Sequence, residues 1–309
     1  MGLPARVSIG MGAWDIEPYK YLFYPAAREK HFRLLEFYSR FFDSVEVNAT
    51  FYNAAFTPFH AKQWLDDVAC QPDFVFLVKL YRGLTHTFDA TAADILGINA
   101  FLAPLEEAGK LGGLLLQFPF RFTNRLEHRR YIVLLSRIFR HHRVFIELRH
   151  DSWHNRAMVE FFEEHGLYPV NVDLPRLPHF IPLTAISYKG YAYFRMMGRN
   201  AAAWNHPELE NRYTYSYSQE ELDDLLRKIS IISKTARRVY VVFHNDAKGH
   251  SLLNGFTLRH LLNRHNIVVP DRTAHTFPEL AGIGSVASAP VPLFDEKGSL
   301  HFQSINSSP

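Results

Sequence analysis

The run Val144-Phe145-Ile146-Glu147-Leu148-Arg149-His150, followed by Arg156 to His165 and then Gly166, is the repeating unit of this chain. Its first part is short and apolar, as in a strand buried on both faces. Its second part has apolar residues at helical spacing, and Gly166 suits the left-handed position that ends a helix. The same pair recurs upstream. Val7 to Gly10 precedes a helix expected from Glu29 to Phe42, with Phe32, Leu35, Tyr38 and Phe42 on one face. Ser44 to Asn48 precedes Phe59 to Val68, which opens after the cap-like Thr57-Pro58. Phe74 to Lys79 precedes Ala92 to Ala108, and Gly113 to Phe118 precedes Leu126 to Phe139.

Downstream, Tyr168 to Asp173 leads into a connection holding Pro175, Pro178 and Pro182, so little regular helix is expected there. Tyr191 to Met197 precedes a polar, aromatic loop and a helix from Gln219 to Lys234. Val239 to His244 precedes Leu252 to Asn263. Strands alternating with helices predict a parallel sheet. Eight such units match an α/β fold of the (β/α)8 TIM-barrel type, which takes about 250 residues. An open doubly wound sheet is the other arrangement, and the polar strand ends favour the barrel. The expected organisation is one barrel domain over residues 1–270 and an extension over 271–309. From Gly284 the extension is rich in Ser, Pro, Ala and Gly and is expected as a flexible tail.

Composition narrows the class. The 309 residues carry 34 Lys and Arg against 31 Asp and Glu, and 47 % are hydrophobic, which argues for a globular chain and against disorder. No stretch approaches the roughly 20 apolar residues of a membrane span. The N-terminus lacks a signal-peptide pattern, and the single cysteine, Cys70, excludes an intrachain disulfide. A cytoplasmic protein with no membrane partner is expected. The oligomeric state is not legible.

In a barrel the reactive face lies at the carboxyl ends of the strands. Polar groups in buried strands need a reason, and here they crowd those ends. Glu46 and Asn48 lie two apart, hence on one face, as do Glu147 and Arg149. Lys79 with His86, Gln117, Asp173, Arg195 and Asn245 end other strands, and Gly10 and Gly12 leave room beside them. Aromatic residues, at 15 %, gather in the following loops. Tyr213, Tyr215 and Tyr217 would share one face of an extended segment, as a stacking platform would.

Gly10-Met-Gly-Ala-Trp14, Phe23-Tyr24-Pro25, Val45-Glu46-Val47-Asn48-Ala-Thr50-Phe51-Tyr52, Phe76 to Lys79 and Leu84-Thr85-His86 occur in a characteristic order. So do Leu116-Gln117-Phe118-Pro119, Val144 to His150 with Trp153, Asp173-Leu-Pro175, and Tyr213 to Tyr217 with Glu220-Glu221-Leu222. Together they resemble the YecE-like family, domain of unknown function seventy-two, over nearly all of residues 6–265. The resemblance implies a TIM barrel and a site, without a reaction. Phe243-His244-Asn245 stands where the family usually has Phe-Asn-Asn, and Met197-Gly198-Arg199 where it usually has His-Gly-Arg. Both departures bear on specificity.

The residues support several chemistries. The leading reading is anion recognition by Lys79, Arg149 and Arg195, since guanidinium groups bind phosphate or carboxylate in pairs of hydrogen bonds. Asn48, His86, Gln117, Asp173 and Asn245 would orient the substrate. Glu46 and Glu147 would serve as acid and base in a hydrolase or lyase acting on a small anionic, phosphorylated or nucleic-acid-like substrate. A carbohydrate-acting enzyme using the same two carboxylates is an alternative. A non-catalytic nucleic-acid-binding barrel is another, because Arg121 to Arg143 holds seven arginines against one acid. No cofactor is legible. A divalent metal on Glu46, Glu147, Asp173, His150 or His244 is disfavoured, because no metal-ligand spacing is present and the neighbouring cations already neutralise the carboxylates.

Overall fold

The computed structural model describes residues 3–206, 208, 211–262, 267–287, 293–294 and 300–301. Eight parallel strands close into a barrel in chain order. They are β1 (Arg6–Met11), β2 (Ser44–Val47), β3 (Val75–Lys79), β4 (Leu111–Gln117), β5 (Val144–Glu147), β6 (Tyr168–Asp173), β7 (Tyr191–Met196) and β8 (Arg238–Phe243). All six residues of β8 pair with β1, so no sheet edge is left open. The helices of the barrel are α1 (Glu17–Leu22), α2 (Leu34–Ser39), α3 (Ala49–Tyr52), α4 (Pro58–Asp67), α5 (Ala92–Glu107), α6 (Leu126–Ile138), α7 (Arg156–Glu164), α8 (Ala201–Asn205), α9 (Gln219–Ile232) and α10 (His250–Leu261).

Local chemistry explains the firmest boundaries. Thr91 with Asp94 opens α5, and Ser218 with Glu221 opens α9, each pair capping the other's backbone N–H. The helix expected from Glu29 to Phe42 is shorter, covering only α2. Phe32 packs on Tyr24 at 6.1 Å and on Phe37 at 5.5 Å, and that aromatic cluster holds residues 28–33 out of the helix. The short α1 and α3 leave no helical period in the sequence, and α8 falls in the connection expected as a polar, aromatic loop.

The β6–β7 connection has no helix, as its prolines predict. Its place on the barrel is fixed by buried Asn171. That side chain donates to Ile186 O at 2.9 Å and accepts from Thr184 Oγ1 at 2.7 Å and Ile186 N at 2.8 Å. Beyond the barrel, β9 (Val268–Pro270), α11 (Asp271–Thr276) and β10 (Ser285–Ala287) pack beside α1, where Thr273 Oγ1 donates to Leu22 O. Of the segment expected as a tail, β11 (Leu293–Phe294) and β12 (Leu300–His301) pair antiparallel, and most of the rest lies outside the described residues.

The barrel interior is filled rather than hollow. Val75, Leu77, Leu115, Phe145, Val170, Val172, Tyr193, Tyr240 and Val242 form its core. Phe145 meets Tyr193 edge-on at 5.2 Å and Tyr240 at 6.0 Å, closing the lower part with aromatic rings. Glu46, Glu147 and Arg195 stand on the carboxyl side of that floor.

Gly10 has a role different from leaving room beside the polar cluster. A Cβ there would lie 2.2 Å from the Ser44 carbonyl oxygen, so the glycine permits the β1–β2 approach. Gly10→Ala is expected to destabilise the protein by about 1–3 kcal/mol or more, because backbone has to move. Urea unfolding checks this, and an unchanged midpoint would show that the strands are not held so close.

Candidate functional site

Three fully buried charged side chains form the layer directly above the aromatic floor. Arg195 on β7 donates through Nε to Glu46 Oε2 at 2.7 Å and through Nη2 to Glu46 Oε1 at 2.8 Å. Its Nη1 donates to Glu147 Oε2. Arg149, just beyond β5, donates to Glu147 Oε1 at 2.6 Å, and the Tyr193 hydroxyl donates to Glu46. His244 Nε2 lies 3.0 Å from Arg195 Nη2 and 3.2 Å from Glu46 Oε1. A Cβ at Gly12 would lie 2.4 Å from the His244 ring, so Gly12 does leave room for a site residue.

Burial alone would raise both carboxyls. For Glu46 the Arg195 guanidinium and His244 overcome this and hold it well below the usual carboxylate range. For Glu147, Arg195 and Arg149 overcome it and set the value to about 2. Two carboxylates and two guanidiniums therefore balance before any other group is counted.

A cavity of about 710 Å³ opens above this layer, within the range of small-molecule sites. Its polar lining includes Asn48, Lys79, His86, Gln117, Arg149, Arg195, Arg212 and His244, and its rim includes Phe51, Phe120, Trp204 and Tyr213. Lys79 ends β3 and sits with Nζ 4.0 Å from the centre of the Phe51 ring. Among the described residues no carboxylate lies within ion-pair distance of this amine. Burial, helped by Arg195 and Arg149, lowers Lys79 to about 7. Burial and the charge of Lys79 lower His86 to about 4. The His86 ring is fixed by Thr85 Oγ1 at 2.9 Å and by an edge-on contact with Phe51.

The residues expected to form a site divide into three groups. Asn48, Lys79, His86, Gln117, Arg149 and Arg195 do meet at the cavity. Asn48 is held by donating to Gly12 O at 2.5 Å, and Gln117 by donating to Phe118 O at 2.7 Å. Glu46 and Glu147 lie beneath the cavity and are not among its lining residues. Their oxygens accept from Arg195, Arg149 and Tyr193, so the two residues expected to act as acid and base are held in ion pairs under the cavity. Asp173 and Asn245 lie outside the cavity lining. Asp173 accepts from Arg199 Nε at 2.8 Å and from the Tyr217 hydroxyl at 2.7 Å, and Asn245 donates to Tyr215 O at 2.8 Å and Asn254 Oδ1 at 2.7 Å.

Those contacts also correct the expected tyrosine platform. Tyr217 is buried on Asp173, and Tyr215 donates to Glu221 at 2.7 Å. Only Tyr213 of the three lines the cavity. Gly198 makes the turn under this loop at φ 86°, where a Cβ would lie 2.7 Å from Tyr215 Cβ. Arg212, also in the cavity wall, had no sequence signal that set it apart from other surface arginines.

Cys70 is exposed between α4 and β3, at the opposite end of the barrel. A separate apolar cavity of about 290 Å³, lined by residues such as Trp153, Met158 and Tyr188, contains none of the candidate residues. Among the described residues, one group of three ligating side chains converges: His150, Asp151 and His179, with ligand atoms within 4.8 Å of one another. Of the candidate metal ligands it includes only His150.

The family model "Protein of unknown function DUF72" matches residues 8–278. The chain is 26 % identical over 275 residues to the UPF0759 protein YunF of Bacillus subtilis (strain 168), covering 83 % of this chain and 95 % of that protein. It is similar to the crystal structure of a DUF72 family protein from Thermotoga maritima MSB8, with a TM-score of 0.72 and 29 % identity, covering 84 % and 100 % of the two chains. A DUF72 family protein from Enterococcus faecalis V583 gives a TM-score of 0.71 at 26 % identity, covering 84 % and 96 %.

The lowered Lys79 has a consequence for stability. In the unfolded chain a lysine titrates near 10.4, against about 7 in the fold. Between those values the unfolded state binds more protons, so stability rises with pH across that window. Lys79→Met is therefore expected to be more stable than the parent at about pH 6, with the advantage fading as pH rises through 7 towards about 10. Urea midpoints at both pH values check this. An equal difference at the two would mean that the amine titrates as an ordinary lysine.

Proposed function

The chain belongs to the DUF72 family, and from that premise we propose that its barrel is an enzyme, a hydrolase or lyase, acting on a small anionic substrate held in the cavity at the carboxyl ends of the strands. One observation carries the reading. Glu46 and Glu147 are turned beneath the cavity and closed off, and the carboxylate in its lining, Asp246, accepts from the Tyr19 hydroxyl at 2.8 Å, while the other polar side chains facing it are amine, guanidinium, imidazole and amide. A ligand entering there meets net positive donors, the environment that favours phosphate or carboxylate. The aromatic rim of Phe120, Trp204 and Tyr213 adds flat apolar surface for a ring-bearing substrate.

The same placement weighs against a glycosidase-like pair, which needs two carboxyls free to reach the substrate. The nucleic-acid reading is also less favoured. Arg121 precedes α6 at the carboxyl end of the barrel, whereas Arg143 follows it and donates to Gly112 O near the opposite end. The arginine-rich stretch is thus spread along roughly 20 Å of an outer helix, since 13 helical residues rise 1.5 Å each.

Thermal-shift titration of the full chain with inorganic phosphate, glycerol 3-phosphate and malate tests the proposal, with glucose as the neutral comparison. At least one anion is expected to raise the melting temperature and glucose is not. Arg149→Met is expected to weaken anion binding by about tenfold or more, the loss of one charge-assisted contact. Circular dichroism of that variant separates lost binding from lost folding, and Arg212→Ala gives a second reading that leaves Glu147 paired. Failure of every anion, or equal stabilisation by glucose, overturns the reading. Salt-sensitive binding of single-stranded DNA that is lost on exchanging Arg125, Arg129 and Arg130, with no effect of the small anions, would install the non-catalytic barrel instead.

A further inference from the structure

We propose that Lys79 is a nucleophilic amine that forms an imine with an aldehyde or ketone bearing a phosphate or carboxylate. The inference rests on the anion-holding reading of the cavity and narrows its substrate class and reaction, favouring the lyase.

The geometry singles this residue out. Lys79 is the only lysine in the cavity wall among the described residues, and it stands on the last residue of a barrel strand instead of a loop. Its carbonyl is anchored by the Thr50 hydroxyl at 2.6 Å, and its amine lies against the face of Phe51. A lysine standing above two buried glutamates would ordinarily pair with one of them. Here both are already closed by Arg195, Arg149 and Tyr193, so among the described residues the amine is left without an acidic partner, and it faces the cavity. Arg149, in the same lining, places a guanidinium to hold the anionic end of a molecule whose carbonyl reaches the amine.

The chemistry requires a lone pair on nitrogen. A lysine titrating normally is neutral in only about one molecule in several thousand at pH 7. With a value of about 7, roughly half of the Lys79 amines carry the lone pair at that pH. That pair adds to the carbonyl carbon, and the C=O π pair moves to oxygen. Both hydrogens of the amine leave with that oxygen as water, and the C=N bond forms. A proton from solvent then gives the iminium, which draws electrons from the bond beside the former carbonyl carbon. Water reverses the linkage and restores the amine. No oxidant or reductant is needed.

Two aldehydes test it on the full chain, each with cyanoborohydride to reduce an imine to a stable amine, read by intact mass and peptide mapping. Formaldehyde needs no anion site and reports the amine alone. Glyoxylate carries a carboxylate and reports amine and anion site together. Lys79 is expected to be modified by formaldehyde at pH 7 at least about tenfold faster than any other lysine, because its neutral fraction is far larger. Its rate is expected to level off above about pH 8 while those of surface lysines keep rising. Glyoxylate is expected to label Lys79 selectively, with inorganic phosphate slowing the labelling. Lys79→Arg, which has no such nucleophile, is expected to lose the adduct, and its circular dichroism spectrum checks that it folds. If formaldehyde labels surface lysines and spares Lys79 while phosphate still binds, the imine proposal falls and the anion cavity stands. If formaldehyde labels Lys79 but glyoxylate does not, and no anion binds, the amine is reactive but the substrate class proposed for it is wrong.

Discussion

The fold of the barrel's carboxyl end depends on one guanidinium. Arg195 lies inside the barrel at 1 % exposure and bonds to carboxylates from two other strands, β2 and β5. Removing one member of such a buried set generally costs about 3–5 kcal/mol, because the charges left behind lose their partner without regaining water. The arrangement also orders what lies below it. Tyr193 belongs to the aromatic floor, yet its hydroxyl reaches up to Glu46, so packing and charge meet in a single side chain. Replacing the whole layer by apolar side chains would serve stability at least as well. Its retention therefore has to be explained by what it does for the cavity above.

A second network holds the cavity's wall. Asp173 at the end of β6 receives Arg199 and the Tyr217 hydroxyl, and Arg199 also donates to Glu221 at the start of α9. Asn254 on α10 donates to Tyr217 O and accepts from Tyr217 N. Through these contacts residues 211–218 are fastened at their far end while Arg212 and Tyr213 stay at the cavity. The polar residues at the strand ends thus do two jobs. Those on β2, β5 and β7 make the floor, and Asp173 and Asn245 secure the loop. Lys79, His86 and the amides Asn48 and Gln117 line the cavity together with Arg149, Arg195, Arg212 and His244.

The division explains what the sequence reveals and what it conceals. Strand and helix order is legible because each strand is a short apolar run that has to be buried, and eight in succession leave few ways to pair. The location of the site is legible for the same reason: Glu46, Glu147 and Arg195 are out of place in buried strands unless they meet. Their roles are not legible, because the spacing of Glu46 from Glu147 along the chain says nothing of the single arginine between them. A carboxylate bonded through both oxygens and a carboxylate free to move a proton look alike in a sequence. Short helices such as α3 and α8 leave no periodic trace, and the shortened α2 reflects an aromatic cluster assembled from separate segments.

Lys79 was legible as a cation but not as an unpaired one, and that difference governs the chemistry. Pairing it would have been simple, since removing either Arg149 or the second bond of Arg195 would free a carboxylate oxygen nearby. The structure instead balances the glutamates with guanidiniums, which stay charged at any ordinary pH, and leaves Lys79, which can lose its proton, without an acidic partner among the described residues. Burial in a balanced site then favours the neutral amine, because a further positive charge would be in excess. A guanidinium in that position would stay charged, and a lysine on the surface would stay protonated. The ion layer thus fixes the architecture and leaves a free base at its upper edge.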